Sequence, residues 1–346
     1  MAAAGASARA QGSSAALAAA ERVLRLLSSS KYRKGSLEEM AFAQLEPLLL
    51  RTVYRSTRAG APIRLTLMAF PFKVPNPAKV GPRLLPDLAE LAAIRWCQAL
   101  GDAIAAVYAP GFALDIIHDG GLIADVFDVE LAEVRAYEAY FARLVRVASA
   151  DERIRCHDFS ALQQRAGLDP TAALGALHAQ AEAWWDMSRG RPEWRASFRK
   201  TCGMLQLRNL PRTVARELLD AADRGSLPPA YAELEQRVHR AMIAYHVRNA
   251  IIHQFDPRLP LFPDAIHATT RVQPGRLALW LVRRGSGLLP WHGVGVLDQD
   301  GRPQVAPADQ VVGRADMRAV MRPGEDTPFC YRPTDLSADL TALIPA

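Results

Sequence analysis

Hydrophobic and polar positions change rhythm several times along the chain. Residues 1–20 hold eleven alanines with Gly and Ser and almost nothing large to bury, so a disordered tail is expected there. From Glu21 the period turns helical, with Val23, Leu24, Leu26 and Leu27 on one face. A second helix is expected from Ser36, with Glu39 at capping-box spacing and Met40, Phe42, Leu45, Leu48 and Leu49 as its apolar stripe. The run from Ile63 to Phe70 then reads as a mostly buried strand, and Pro71, Pro75 and Pro77 must take the chain out of the ladder. Pro86 and Asp87 open a helix carrying Leu88, Leu91, Ile94 and Leu100. Phe112 to Ile117 is a second strand and His118-Asp119-Gly120-Gly121 a turn. Leu122 to Phe127 continues beyond it, and Asp128 caps the next helix. Residues 130–150 and 170–255 are largely helical by period, broken at Pro192, Gly203, Pro211 and Pro228-Pro229. Strands return at Leu277–Val282 and Gly293–Leu297, with Asp300-Gly301 as a turn. Alternating helices and strands at the start, helices in the middle and strands at the end predict an α/β sheet covered by helices. Residues 21–346 are expected to form one domain.

Composition narrows the function classes. The 346 residues are 50% hydrophobic and 23% charged, enough apolar material for a core and too much for a disordered chain. Without 18 uninterrupted apolar residues, no spanning helix is expected. The net charge of +6 raises the question of nucleic acid. However, residues 1–60 carry nine Lys/Arg against four Asp/Glu, so +5 of the excess sits there and the body is nearly neutral. Neither a nucleic-acid nor a membrane partner is expected. Four scattered cysteines without a CxxC pair fit a reducing cytoplasm better than a disulfide scaffold. HxxxH, HExxH and HxD pairs are absent, as are GxGxxG, GxxxxGK[ST] and GxSxG. No metal is expected, and the common dinucleotide, P-loop and hydrolase signatures are missing.

Four segments can carry chemistry. The proline-stiffened strand exit holds Lys73, Asn76 and Lys79, with Arg83 just beyond. Ligands of open α/β sheets bind past the carboxyl ends of strands, so these cations can hold a phosphate or carboxylate, or simply form a solvated basic loop. Asp87 and Glu90, at i and i+3 on one helix face, can anchor a substrate amine or orient Lys73, although on spacing alone ordinary N-terminal helix electrostatics is the better account of them. Asp119 and Asp125, around the glycine turn, can act as general bases or merely close the turn. His267 and Arg271, and then His292 beside Trp291, lie next to expected strands, where an imidazole titrates near neutral pH unless it is structural. The geometric expectation of a catalytic reading is that Lys73, Asp125 and His292 converge on one pocket.

Taken in order, these segments resemble the pyoverdine/dityrosine biosynthesis family, whose bacterial members include isocyanide synthases. The matching pieces are Phe70-Pro71-Phe72-Lys73 with Asn76-Pro77 and Lys79, Leu85-Pro86-Asp87-Leu88-Ala89-Glu90, Tyr108-Ala109-Pro110-Gly111, and Asp119-Gly120 with Asp125. Near the end stand Phe262-Pro263-Asp264-Ala265-Ile266 and Pro290-Trp291-His292-Gly293-Val294. The resemblance implies a Rossmann-like α/β fold over roughly residues 20–340. It also implies condensation of the α-amine of an aromatic amino acid, Tyr or Trp, with the ketone of ribulose 5-phosphate. The sugar then fragments and its C2 stays on nitrogen as the isocyanide carbon. No metal or redox cofactor is implied, and a separate iron- and 2-oxoglutarate-dependent oxygenase is implied downstream. On this view Lys73, Asn76, Lys79, Arg83, Asp87, Glu90, His267 and Arg271 bind substrate, while Asp119, Asp125 and His292 move protons. One departure is visible. Where other branches carry an Arg-x-Ser-x-His-like stretch, this chain has His267, Thr269 and Arg271 in exchanged order. An N-formyl-forming enzyme of the dityrosine type, or a non-catalytic phosphate-binding protein on the same fold, remains the alternative.

Overall fold

The structure is a computed structural model. It describes all residues except 1, 36–38, 206–213, 215–216, 219, 222–223, 225, 274, 283–287 and 337–346. Two helices open the chain, α1 (Ala2–Ser28) and α2 (Glu39–Ala59). The central sheet is built from β1 (Ile63–Met68), β2 (Phe112–His118), β3 (Ile154–Asp158), β4 (Ile266–Thr269) and β5 (Leu277–Ala278). Its order is β3-β2-β1-β4-β5 and every pairing is parallel, with Ile63 opposite Phe112 and Leu65 opposite both Leu114 and Ile266. Ile63, Leu65, Thr66 and Leu67 of β1 are all buried, because helices cover both faces of a parallel sheet.

The covering and connecting helices are α3 (Pro77–Val80), α4 (Leu88–Ala105), α5 (Gly120–Ile123), α6 (Leu131–Val147), α7 (Phe159–Arg165), α8 (Leu174–Ser188), α9 (Pro192–Leu205), α10 (Ala232–Gln254) and α11 (Arg258–Leu261). A second sheet of β6 (Val294–Leu297), β7 (Pro303–Ala306), β8 (Met317–Val320) and β9 (Cys330–Pro333) has the order β7-β6-β9-β8. It packs against the start of α4. A Cβ at Gly295 would stand 2.7 Å from the Ala89 nitrogen, so only glycine lets β6 pass the helix end. One buried apolar cluster runs from Ala19 to Cys330 and joins the layers.

Three local expectations change. The last residues of the expected tail belong to α1: Ala19 and Ala20 are buried, and Thr57 Oγ1 donates to the Ala16 carbonyl at 2.9 Å. Small side chains, poor core material alone, let α1 lie close against α2. Leu122–Phe127 forms a helical turn and a 3-10 turn, and Asp128 sits at φ 51° instead of capping α6. The box is made by Glu130 and Glu133. The strand expected over Leu277–Val282 is cut to Leu277–Ala278, after which Leu279 bridges to Arg33. The Ser36 cap lies outside the described residues.

Candidate active site

Strand order reverses at β1: the chain runs outward through β2 and β3, then returns across β1 to β4 and β5. The cleft outside the carboxyl ends of strands at such a switch point is where open α/β sheets hold ligands. A cavity of about 200 Å³ lies there, reached by Met68 and Ala69 from β1, Asp119 from the end of β2 and Ala268, Thr269 and Thr270 from β4.

The backbone that shapes its floor is held by unusual local geometry. Phe70 has φ 59°, rare for a bulky residue. Its carbonyl accepts from His118 Nδ1 at 2.8 Å, which fixes the tautomer and leaves Nε2 bare and without a partner. Burial lowers the His118 pKa to about 4, so the ring stays neutral. Pro71 then runs so close to Gly120 that any Cβ there would overlap its carbonyl.

Lys73 does not reach the cavity. It is fully buried, with Nζ 2.9 Å from Glu90 Oε2 and 3.2 Å from Asp87 Oδ2, and it donates to the carbonyls of Pro290 (3.0 Å) and Gly293 (2.8 Å). Asp87 caps α4 through the Ala89 amide at 2.7 Å and also accepts from the Gly295 amide at 3.2 Å. Glu90 closes the capping box on the Asp87 amide at 2.8 Å and accepts from the Tyr137 hydroxyl at 3.1 Å. Burial pushes Glu90 up to about 7 against the pull of Lys73. The FPFK, PDLAE and PWHG segments therefore meet in one closed ionic node. It binds the strand exit to α4 and to the turn bearing Trp291 and His292.

The other expected cations divide. Arg83 is buried against Glu325 (2.7 Å), Thr327 and the Pro86 carbonyl, with its guanidinium over Tyr140 and Phe329, so it ties the second sheet to α4 and not to a ligand. Asn76 accepts from the Ala78 amide at 3.1 Å and starts α3. Lys79 stays outside the lining, but its field lowers the pKa values of both His292 and Lys200. Arg271 lines the cavity from an exposed position. His267 is held by Thr66 Oγ1 at 2.8 Å behind β4, and burial with the nearby Arg258 lowers it to about 4.

Of the three expected proton carriers, Asp125 is on the surface, paired with Arg248 at 3.0 Å, and leaves the cavity. The expected convergence of Lys73, Asp125 and His292 is thus not seen. Asp119 and His292 do line the cavity. Burial raises Asp119 to about 6 despite Arg258 nearby, which brings a carboxyl within reach of proton exchange at neutral pH. His292 does not titrate near 7 as expected. Burial lowers it to about 3, helped by Lys79, Arg271, Lys200 and Lys73, so it is a neutral imidazole.

The rest of the lining comes from helices whose sequence shows nothing beyond period. Tyr245, Asn249, Ile252 and His253 form one face of α10, Lys200 comes from α9, and Arg258 opens α11. The spacing 245, 249, 252 was readable as a helix face, but not as a face over a cavity. Phe72, Ile123, Phe127, Tyr245, Leu289 and Trp291 supply apolar wall, and Lys200, Arg258, Arg271 and Arg276 supply charge. Among the described residues, no group of three or more His, Cys, Asp or Glu side chains is placed to hold a metal ion, and no helix is long and apolar enough to cross a membrane.

The chain has relatives in sequence and in fold. The sequence model of the family described as "Pyoverdine/dityrosine biosynthesis protein" matches residues 53–202. The L-tyrosine isonitrile synthase of Pseudomonas aeruginosa is 24% identical over 283 residues, which cover 78% of this chain and 80% of that protein. The L-tryptophan isonitrile synthase AmbI1 of Fischerella ambigua is 37% identical over 91 residues, 26% of this chain and 28% of that protein. The crystal structure of PvcA from Pseudomonas aeruginosa shares the fold, with a TM-score of 0.66 at 22% identity over 91% of this chain and 99% of that one. The chain is thus similar to the pyoverdine/dityrosine biosynthesis family over residues 53–202 and shares the PvcA fold over most of its length.

Proposed function

We propose that this chain, an enzyme of the isonitrile synthase type, converts the α-amine of an aromatic amino acid to an isocyanide with ribulose 5-phosphate as carbon donor. The observation that carries this reading is the cavity itself, at the sheet's switch point. One side is aromatic and aliphatic, with Phe72, Phe127, Tyr245 and Trp291, which suits an aromatic side chain. The other side carries Lys200, Arg258, Arg271 and Arg276, which suits the anionic groups of an amino acid and a sugar phosphate.

The chemistry asks for proton transfers at a carbonyl and an amine. Condensation needs a neutral amine and an acid to release water from the carbinolamine. Asp119, with its raised pKa, can take a proton from the ammonium and return it to the leaving hydroxyl. His292, neutral and beside the cations, can accept a hydrogen bond. An arriving phosphate would offset those cations and make the ring more basic. The apolar wall keeps water from the imine before fragmentation.

The test is incubation of the full chain with ribulose 5-phosphate carrying ¹³C at C2 and a panel of amino acids, read by mass. The expected product is an aromatic isocyanide that retains the label on nitrogen. No consumption of the sugar with any amino acid overturns the reading. A labelled product heavier by one water would instead be the N-formyl compound of the dityrosine-type alternative.

A further inference from the structure

The cations of the cavity fall into two groups that differ in depth and in compensation. At the base, Arg258 is completely buried and paired side-on with Asp256, Nε to Oδ1 at 2.9 Å and Nη2 to Oδ2 at 2.6 Å. Arg276 approaches the same carboxylate at 3.7 Å. Two guanidiniums there face Asp256 and Asp119, so the base is close to charge balance. One donor is left over, because Arg258 Nη1 is buried and has no hydrogen-bond partner. A buried donor left unsatisfied is costly, and a ligand oxygen at that position would recover that cost. At the mouth, Lys200 and Arg271 are exposed. Among the described residues no carboxylate pairs with either. Although the Lys200 side chain reaches solvent, the protein around its amine limits hydration, and with Arg271 and Lys79 this holds it down to about 8, so these three cations feel one another.

The two groups suit different anions. The energy needed to strip water from an ion grows as the square of its charge, so a dianion is expensive to carry to the base and cheap to keep at a wet mouth. The mouth offers an uncompensated charge of two, with Lys79 behind it. The base offers one fixed donor nitrogen, Arg258 Nη1, with almost no net charge, matched to a single carboxylate oxygen.

Resting on the isonitrile synthase reading, we propose that the cavity has two anion subsites. The mouth, Lys200 and Arg271, takes the phosphate dianion of the sugar, and the buried Arg258 Nη1 takes the carboxylate of the amino acid. This orders the substrates. The sugar phosphate spans from the mouth inward, the amino acid carboxylate sits at the base beside Asp119, and the reacting amine and ketone meet between them. The subsites do not include Lys73 or Arg83, two cations of the strand-exit segment that are spent inside the fold.

Titration calorimetry with inorganic phosphate and with ribulose 5-phosphate, on the full-length protein, tests the mouth without requiring turnover. Lys200→Gln with Arg271→Gln should weaken both ligands by about 100-fold or more, and added salt should weaken the parent in the same direction. Arg258→Lys should leave phosphate affinity within about threefold and raise KM for the amino acid at least tenfold. If Arg258→Lys melts early, the parent enzyme carries the second arm: an amine lacking the carboxylate, such as tyramine beside tyrosine, should show a KM at least tenfold higher. Phosphate binding that survives the double substitution, or is lost with Arg258→Lys in folded protein, overturns the assignment. Equal KM values for tyramine and tyrosine overturn the base subsite. Phosphate bound as assigned, with ribulose 5-phosphate never consumed, would leave the mouth standing as a phosphate site and instead sink the isonitrile synthase reading.

Discussion

The node around Lys73 and the cavity beside it are built from the same kinds of side chain and behave oppositely. In the node, Lys73 meets Asp87, Glu90 and two carbonyls, and every charge is answered from within the chain. In the cavity, Lys200 and Arg271 have no carboxylate partner among the described residues, and Arg258 keeps one donor idle. Closure makes a charge structural, and the residues left open are the ones available to a ligand. The two regions are also coupled. Lys73 donates to the carbonyls that flank Trp291 and His292, so the node holds one wall of the cavity in place.

The sharpest way to break this contrast is to remove the central charge. Lys73→Met should destabilise the protein by about 3–5 kcal/mol, because it strands buried Asp87 and Glu90. Urea unfolding measures this, and phosphate affinity of the remaining folded protein should stay within about threefold. A stable Lys73→Met protein that no longer binds phosphate would move Lys73 back into the site.

Asp119→Asn should do the reverse. Turnover should fall about 100-fold or more, as for a lost acid or base, while the protein unfolds no earlier at pH 7–8. The sign follows from linkage. A carboxyl raised to about 6 contributes stability below the ordinary carboxylate range, and that contribution is lost as pH climbs through 6. Removing it costs nothing above that window. The acid limb of the parent's kcat/KM profile should lie near pH 6 and vanish in the variant. A limb that persists in Asp119→Asn would assign it to another group.

Gly120→Ala probes the seam between the regions. Its Cβ would meet the Pro71 backbone, which cannot rotate away, so a loss of about 1–3 kcal/mol is expected, read as a lower Tm. The smallest effect belongs to the N-terminus. A chain starting at Glu21 loses buried Ala19 and Ala20 and the Thr57–Ala16 bond, and should melt a few degrees lower, with unchanged phosphate affinity. An unchanged Tm would restore the reading of residues 1–20 as a passive tail.

What the sequence determined alone is mostly local. The capping box of Asp87 and Glu90 was readable because its partners are three residues apart and its geometry belongs to one helix turn. The strands at 63–68 and 112–118 were readable from unbroken apolar runs, and the parallel sheet from their alternation with helices. The fate of each charge was not readable. Lys73 is claimed by carboxylates 14 and 17 positions away and by carbonyls more than 200 away, so its burial exists only after folding. Arg83 is likewise taken by Glu325. Lys200 lay in a stretch that shows only helical period and Arg258 between two prolines beyond it, and both became cavity residues when α9, α10 and α11 closed over the ends of β1 and β4. The neutral His292 is the plainest case. Its neighbours in sequence leave an imidazole near its ordinary pKa. Burial, together with four cations from three separate stretches of the chain, lowers it to about 3, because electrostatic energy depends on distance in space and on exclusion of water, and neither is written in the order of residues.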